Sequence, residues 1–392
     1  MNKIFWTNSS IKYSKKEKDI ILKSLDSEPQ TQGRYLKKFE NNFSKYLGVK
    51  KSYAVANCSN ALDLCAMLIN TKKGDEIIVP AHTWCASAIS FARFGAKIVW
   101  SDIDRSTFLS PLKYIKKLVT RKTKAIVVVH LYGLPAEIKE IVNFAKKKNI
   151  IVIEDCAQAL GAKVKNKIVG TFGDLSVFSF HSNKCITTLG EGGMLVVNNK
   201  KFDRNIEALR HNGVNPFVRK NPEIYWKPAM NNIVNASKNF WPYNFSIGET
   251  QCALGSELIL RVDELNKIRI KRAEKFRSFF RNYEELTFQF LPKNYKNVYH
   301  CLVARYNGVK FKKNRDDLIK ILFKKYRIQT IVQNCPLYRY SLFKKFSKNV
   351  KCKETDVFFD NMISWPFYTY MSEKKFEYMI RSTKLALEEL RK

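Results

Sequence analysis

Paired cysteine motifs, metal-ligand spacings and long apolar runs are all missing from this chain, and each absence removes a class of protein. Nine cysteines are scattered at positions 58, 65, 85, 156, 185, 252, 301, 335 and 352 with no C-x-x-C pair. Neither a disulfide framework nor a zinc ribbon is therefore indicated, and buried reduced thiols are the plainer reading. The five histidines never stand four apart and form no H-E-x-x-H, so no metal is expected. The opening MNKIFWTNSSIKYSKK lacks the apolar core of a secretory signal. Apolar runs such as AIVVVHLYGL fall well short of a bilayer span. A soluble, cytoplasmic protein with no membrane partner is expected.

Acidic residues are scarce: 35 Asp and Glu face 70 Lys and Arg, a formal charge of +35. Such a balance fits nucleic acid, an anionic surface or phosphorylated small molecules. The lysines, however, are spread in short groups such as Lys146 to Lys148 and Lys312-Lys313, with no basic tail and no aromatic RNA-binding signature. A basic nucleic-acid-binding regulator is the rival class, but no nucleic-acid partner is expected. The functional reading that remains is a field steering a polyanionic small molecule toward a cleft, beside plain compositional bias.

What is present is length and periodicity. A chain of 392 residues is too long for one ordinary core and implies two domains. From about Ser52 short apolar runs alternate with amphipathic ones: YAVAN, NALDLCAMLI, EIIVP, WCASAISFARF, KIVWSDI, PLKYIKKLV, KAIVVVHL, AEIKEIVNFAKKK, IIVIED. That alternation predicts βαβ units, a mostly parallel sheet covered on both faces, and ligands beyond the carboxyl ends of its strands. Two further strands, LSVFSF and MLVVNN, precede a polar, aromatic excursion, an arm at about 213–243. A long helix is expected from about Thr250, then a mixture of strands (HCLVARYN, RIQTIVQN) and helices (DDLIKILFKKY, EKKFEYMIRSTKLALEEL). The expected fold class is α/β, with a large α/β/α domain over 1–255 and a smaller C-terminal α/β domain over 256–392.

Chemistry concentrates at three strand ends. The connection SFHSNKCITTLGEGG crowds Ser179, His181, Lys184 and Glu191 between two apolar strands, where a plain turn would serve. Asp155 and Gln158 close the strand in IVIEDCAQ; a carboxylate there either meets a ligand or caps its own turn. In AVANCSNALD a strand runs into a helix through Asn57, Cys58, Ser59 and Asn60, a place suited to a phosphate but equally to an ordinary cap. Trp84 follows another strand end and taken alone reads as a core aromatic. Together, an amine, an acid and a phosphate cradle meet the needs of pyridoxal 5'-phosphate: a lysine to bond its aldehyde, a carboxylate to keep its pyridine nitrogen protonated, and donors for its phosphate.

The chain resembles the DegT (DegT/DnrJ/StrS) family of sugar aminotransferases, enzymes of the aspartate aminotransferase fold (fold type I). The likeness runs through GRYLKKFENNFSKYLGV, KKGDEIIVPAHTWCAS, HLYGLPAEIKEI, IEDCAQALGA, GTFGDLSVFSFHSNKCITTLGEGGM, WPYNFSIGETQCALG, NCPLY and SWPFYTYMSEKKF. The resemblance implies Lys184 as the cofactor-bonding lysine and proton shuttle, with Asp155 paired to the pyridinium. It implies Gln158 beside the ring, Trp84 stacked on it, and Ser59, the Asn60 backbone and Ser179 on the phosphate. Asn244 would reach the phosphate from the other subunit of a homodimer, and His181 and Glu191 would lie near substrate. Cys58 stands where glycine is common in that turn, and Leu189 lengthens the loop before GEGG.

The activity implied is transfer of an amine from L-glutamate, or glutamine, to a keto sugar. The sugar would be a nucleotide-linked 4-keto-6-deoxy or 3-keto hexose, in surface-glycan or amino-sugar biosynthesis. A keto-inositol acceptor would use the same residues. The related sugar dehydratases carry histidine in place of the lysine, so Lys184 argues against that chemistry.

Overall fold

The computed structural model describes residues 3–6, 10–214, 233–237 and 239–392. It opens with two helices, α1 (Lys15–Leu25) and α2 (Arg34–Leu47). Gly33 gives α2 no side-chain cap. The cap comes instead from Glu249, fully buried, which accepts from the N–H groups of Gly33 at 2.9 Å, Tyr35 at 2.7 Å and Leu36 at 3.0 Å. An acid remote in sequence thus fixes the first long helix against the domain.

Strands and helices then alternate as the periodicity predicts: β1 (Ser52–Val55), α3 (Cys58–Leu68), β2 (Glu76–Pro80), α4 (Ala86–Ala92), β3 (Lys97–Ser101), α5 (Leu112–Leu118), β4 (Thr123–Val129), α6 (Ile138–Lys147) and β5 (Ile151–Asp155). A small hairpin, β6 (Lys163–Val164) and β7 (Lys167–Ile168), precedes β8 (Leu175–Ser179) and β9 (Gly193–Val197). The seven long strands form one sheet in the order β1-β9-β8-β5-β4-β2-β3. Only β9 runs against its neighbours, antiparallel to both β1 and β8; β8, β5, β4, β2 and β3 are parallel. Runs such as EIIVP and the AIVVV of β4 are buried along their length, as strands covered by helices on both faces require.

After β9 comes α7 (Ile206–Arg210). Of the arm expected at 213–243, residues 215–232 and 238 lie outside the described residues. The helix expected from Thr250 is two helices, α8 (Glu249–Leu258) and α9 (Val262–Phe279), joined by a 3₁₀ turn at Ile259–Arg261. Arg261 leaves helical geometry at φ −115°, ψ 12°, and its guanidinium grips the Glu17 carboxylate and the Lys12 carbonyl. That grip explains the break: the side chain that would continue the helix surface is tied to α1.

The remaining elements are β10 (Leu286–Phe288), β11 (Tyr295–Lys296), β12 (Leu302–Tyr306), α10 (Arg315–Lys324), α11 (Lys353–Asn361), β13 (Met362–Trp365) and α12 (Glu373–Leu390). A three-stranded sheet, β10-β12-β13, carries a second core around Phe276, Phe280, Trp365 and Phe376, which Ile4 joins from the N-terminus. Strand β11 instead pairs with β6, and Val298, Cys301, Leu337 and Phe358 belong to the first core. The run RIQTIVQN forms no continuous strand. Ile328 bridges Ile4 while Ile331 bridges Ser364, so its hydrogen bonds are divided between two partners. Among the described residues no helix is long and apolar enough to cross a membrane.

Candidate active site

Parallel pairing brings the carboxyl ends of β2, β4, β5 and β8 to one edge of the sheet, where loops can enclose a ligand. Asp155, the last residue of β5, is buried there. Its Oδ2 accepts from the Ser87 hydroxyl at 2.7 Å and its Oδ1 from the Ala157 N–H at 3.0 Å. Asp155 therefore does cap its own turn, yet no cation pairs with it among the described residues. Gln158 is held by its side-chain oxygen, which accepts from the Tyr132 N–H at 2.8 Å; Tyr132 turns there through φ 62°.

The connection from β8 to β9 folds back on itself. Phe180 N–H donates to the Gly192 carbonyl, Ser182 N–H to Gly190, Thr188 N–H to Phe180 and Lys184 N–H to His181. The Lys184 carbonyl accepts from the Ser10 hydroxyl, so the N-terminal segment braces the lysine. The extra residue, Leu189, occupies the loop tip at φ 59° and is half exposed. Ser179 pairs with Gly193 across β8 and β9. His181 Nε2 lies 3.7 Å from Glu191 Oε1, and its Nδ1 is 3.1 Å from Asn183 Oδ1.

Gly193 explains why the loop ends in GG. A Cβ there would stand 2.4 Å from the Asn57 carbonyl carbon and 2.6 Å from the Cys58 nitrogen. Only glycine allows β9 to begin against the N-terminus of α3, which places the lysine loop beside Asn57, Cys58 and Ser59. The N-cap is Asn57, whose side chain accepts from the Asn60 N–H at 2.9 Å. The Asn60 N–H is thus already engaged in the cap.

Electrostatics ties the two strand ends together. Burial pushes the Cys58 thiol well above its ordinary range; the Asp155 carboxylate pushes the same way, and the Lys184 ammonium opposes both. Acid and amine therefore act on one sulfur at the start of α3. Trp84, following β2, is 65% exposed, which excludes the core-aromatic reading. Asn244 is exposed; its backbone bridges His211 and its side chain accepts from Ser246 N–H at 3.1 Å. Within one chain no hydrogen bond ties it to the lysine loop among the described residues.

Sequence reasoning passed over a cavity at the Ser10 that braces the Lys184 carbonyl. His300 and Cys301, just before β12, and Gln333 line a narrow cavity there with Ser10 and Asn183. Burial first, then Lys184 and Arg269, hold the His300 imidazole well below its usual range. Burial raises Cys301 to about 11 although both cations oppose it. A histidine opening the run HCLVARYN was the available signal, but nothing local connects it with Lys184. His130, Glu154 and Cys156 also gather their donor atoms within 4.8 Å of one another. Glu154 is already saturated by His130 and the N–H groups of Gly170, Phe172 and Gly173, which marks that cluster as structural.

The sequence profile of the DegT/DnrJ/EryC1/StrS aminotransferase family matches residues 12–384. The chain is 36% identical over 287 residues to the GDP-perosamine synthase of Escherichia coli O157:H7, covering 73% of this chain and 72% of that protein. It is 30% identical over 379 residues to the UDP-4-amino-4,6-dideoxy-N-acetyl-beta-L-altrosamine transaminase of Campylobacter jejuni, covering 95% of each. The structure of a Helicobacter pylori aminotransferase involved in the biosynthesis of pseudoaminic acid superposes with a TM-score of 0.87 at 25% identity, over 98% of this chain and 100% of that one. A profile match over nearly the whole chain and relatives at this identity, on the fold and strand-end constellation found here, make this chain a member of the DegT/DnrJ/EryC1/StrS aminotransferase family.

Proposed function

We propose that the chain transfers an amino group from L-glutamate to a keto sugar linked to a nucleoside diphosphate, with pyridoxal phosphate as its cofactor. One observation carries the reading: Asp155, buried at the ligand edge of the sheet and held by the Ser87 hydroxyl, has no cationic partner among the described residues. An uncompensated buried carboxylate is costly. A pyridinium N–H is the partner it lacks, so the residues present fit the cofactor. The exposed Trp84 indole fits the face of a flat ring. Ser59 and Ser179 would hold the phosphate, joined by Asn244 of the partner subunit in a homodimer, while the Asn60 N–H stays in its cap on Asn57.

When bound, pyridoxal phosphate withdraws electrons from the Cα–H bond of the amine it carries. Lys184 would carry that proton, acting as base and then acid. Asp155, steadied by Ser87 and Ala157, would keep positive charge at the pyridine nitrogen. Gln158, fixed by the Tyr132 N–H, borders the ring. His181 and Glu191 face the acceptor from the loop.

The names of the relatives support GDP- or UDP-linked sugars as acceptors. The net charge of +35 supports a diphosphate-bearing one, because a positive field raises its encounter rate. The test is a visible spectrum of the protein with pyridoxal phosphate, before and after L-glutamate, beside Lys184→Ala. A band that bleaches with glutamate in the parent and not in the variant supports the reading. A band indifferent to both overturns it.

A further inference from the structure

Opposite the ligand edge, the fold gathers lysines that the sequence scatters. At the amino ends of the strands, Lys50-Lys51 lead into β1, Lys72-Lys73 into β2, Arg121-Lys122 into β4 and Lys146 to Lys148 into β5. Lys97 opens β3, and Lys200-Lys201 follow β9, which runs the other way. All twelve side chains are exposed. Seven strands about 4.8 Å apart make that edge about 29 Å wide. The acids in the same loops and strand starts are four, and each is engaged. Asp75 accepts from the Lys72 N–H at 3.0 Å, and Glu76 from Lys97 and the Thr120 hydroxyl. Asp174 accepts from the Val152 N–H and the Asn199 amide, and Asp203 from the Tyr53 hydroxyl. Of the twelve bases, only Lys97, on Glu76, and Lys51, 3.7 Å from Asp203, meet a carboxylate among the described residues.

Two ordinary roles leave most of this charge unexplained. A lysine in the last turn of a helix complements the helix dipole, which covers Lys146 and Lys147 in α6 but not the bases around β1, β2, β4 and β9. Steering an anion to the active site does not cover them either. They lie one five-residue strand from the ligand edge, about 16 Å, which is about twice the screening length at physiological ionic strength. That role falls to bases nearer the carboxyl ends. What a broad, flat array of ammonium groups matches is a broad, flat array of negative charge. Eleven of the twelve bases are lysine, a hydrated point charge, and not the planar arginine fork that grips a single phosphate. Among the described residues, none of the exposed large apolar side chains lies in these loops. The edge therefore offers no platform for stacked bases and no wedge for a nucleic-acid groove.

We infer that this edge seats the protein on an anionic phospholipid surface, with the lysine ammonium groups at the headgroup phosphates and the ligand edge turned to the aqueous phase. The attachment is electrostatic and reversible, since no exposed apolar side chain is there to enter the acyl region. The expectation of no membrane partner rested on lysines spread along the chain, and the parallel sheet is what brings their loops to one edge. The inference stands apart from the aminotransferase reading, because it uses none of the residues at the ligand edge.

The test is sedimentation of the full chain with vesicles of phosphatidylglycerol and phosphatidylcholine in equal parts, beside vesicles of phosphatidylcholine alone. Two variants of equal charge change are compared with the parent, with thermal melting as the control for folding. One carries Lys50→Glu, Lys73→Glu, Lys147→Glu and Lys200→Glu, exposed and spread across the edge. The other carries Lys310→Glu, Lys313→Glu, Lys320→Glu and Lys374→Glu, equally exposed but around α10 and α12. The parent should bind the anionic vesicles and not the neutral ones. It should be released as NaCl rises from about 0.1 M to about 1 M, where the screening length falls from about 10 Å to about 3 Å. The edge variant should partition at least about a hundredfold more weakly, and the other less than about fivefold. If the edge variant melts early, glutamine at the same four positions replaces glutamate, with an expected loss of about tenfold or more. No binding of the parent to anionic vesicles overturns the inference. Equal losses in the two variants overturn it as well, because net charge and not this edge would then attract the bilayer. So does a loss of affinity for single-stranded RNA in the edge variant with vesicle binding unchanged, which would make the edge a nucleic-acid surface.

Discussion

Glu154 and Asp155 are neighbours on β5 that face opposite sides of the sheet. Asp155 turns to Ser87 and the ligand edge, whereas Glu154 accepts from His130 Nε2 at 3.1 Å and from Gly170, Phe172 and Gly173 N–H groups at 2.7 to 2.8 Å. The Ala136 N–H donates to His130 Nδ1 at 2.9 Å, so the proton of that ring lies on Nε2 and points at Glu154. One acid faces the ligand edge and its neighbour builds the loop that delivers β8 and Ser179.

Glu154→Gln should therefore destabilise the fold while leaving the chemistry at Asp155 intact. An amide nitrogen would replace one oxygen that now accepts two hydrogen bonds, leaving donors facing a donor. The expected loss is about 2 to 4 kcal/mol, read as a lower urea midpoint at unchanged slope.

The same carboxylate gives stability a definite pH dependence. Burial alone would raise its pKa, but the His130 hydrogen bond and the loop N–H groups outweigh burial and hold it below the ordinary value. A depressed folded pKa means the contribution is complete above the unfolded value of about 4.3 and is lost as pH falls through the folded one. Urea midpoints should fall on acidification below about pH 5 in the parent, and less steeply in Glu154→Gln. Parallel curves would refute the assignment.

Gly193→Ala tests the placement of the lysine loop. The new Cβ would collide with the backbone at Asn57 and Cys58, at 2.4 and 2.6 Å, and backbone cannot rotate aside. Either β9 or the start of α3 must shift. The variant should bind pyridoxal phosphate at least about tenfold more weakly in a spectroscopic titration, and lose a few kcal/mol of stability.

Much of this was legible because it is local. The β-branched runs and their spacing predict the parallel sheet, and Asp155 and Lys184 are conspicuous as charges at the ends of buried strands. The GEGG sequence reports a tight backbone approach, whose partner, the Asn57–Cys58 peptide, only the fold supplies. What stayed hidden depends on contacts remote in sequence. Glu249 reads as a helical surface acid until it caps α2, and Arg269 reads as one more lysine-rich helix residue until it lies buried behind His300. RIQTIVQN has strand composition, but composition cannot say that its bonds go to two different partners.

Ser87→Ala isolates the support of Asp155 from its charge. Ser87 is fully buried and donates at 2.7 Å to Oδ2; removing the hydroxyl leaves Oδ1 still bound to the Ala157 N–H. About 1 kcal/mol of orientation should be lost, which is about a fivefold fall in kcat/KM for the glutamate half-reaction. Asp155→Asn, which removes the charge itself, should cost at least about a hundredfold, since the proposed ion pair at the pyridine nitrogen would then be missing. Equal losses in the two variants would mean that the hydroxyl, and not the carboxylate, governs the site.

Trp84 separates cofactor binding from folding, because its ring is 65% exposed and has little to contribute to the core. Trp84→Ala should leave the melting temperature of the cofactor-free protein nearly unchanged, as surface substitutions usually do. Stacking of an aromatic ring on a flat ligand is worth about 1 kcal/mol beyond the area it covers, so pyridoxal phosphate affinity should fall about fivefold to twentyfold. Trp84→Phe should recover much of it, since a phenyl ring offers the same kind of face over a smaller area. If instead Trp84→Ala melts earlier without cofactor and binds it as tightly as the parent, the indole is a structural support, and the face of the ring is covered by another part of the site.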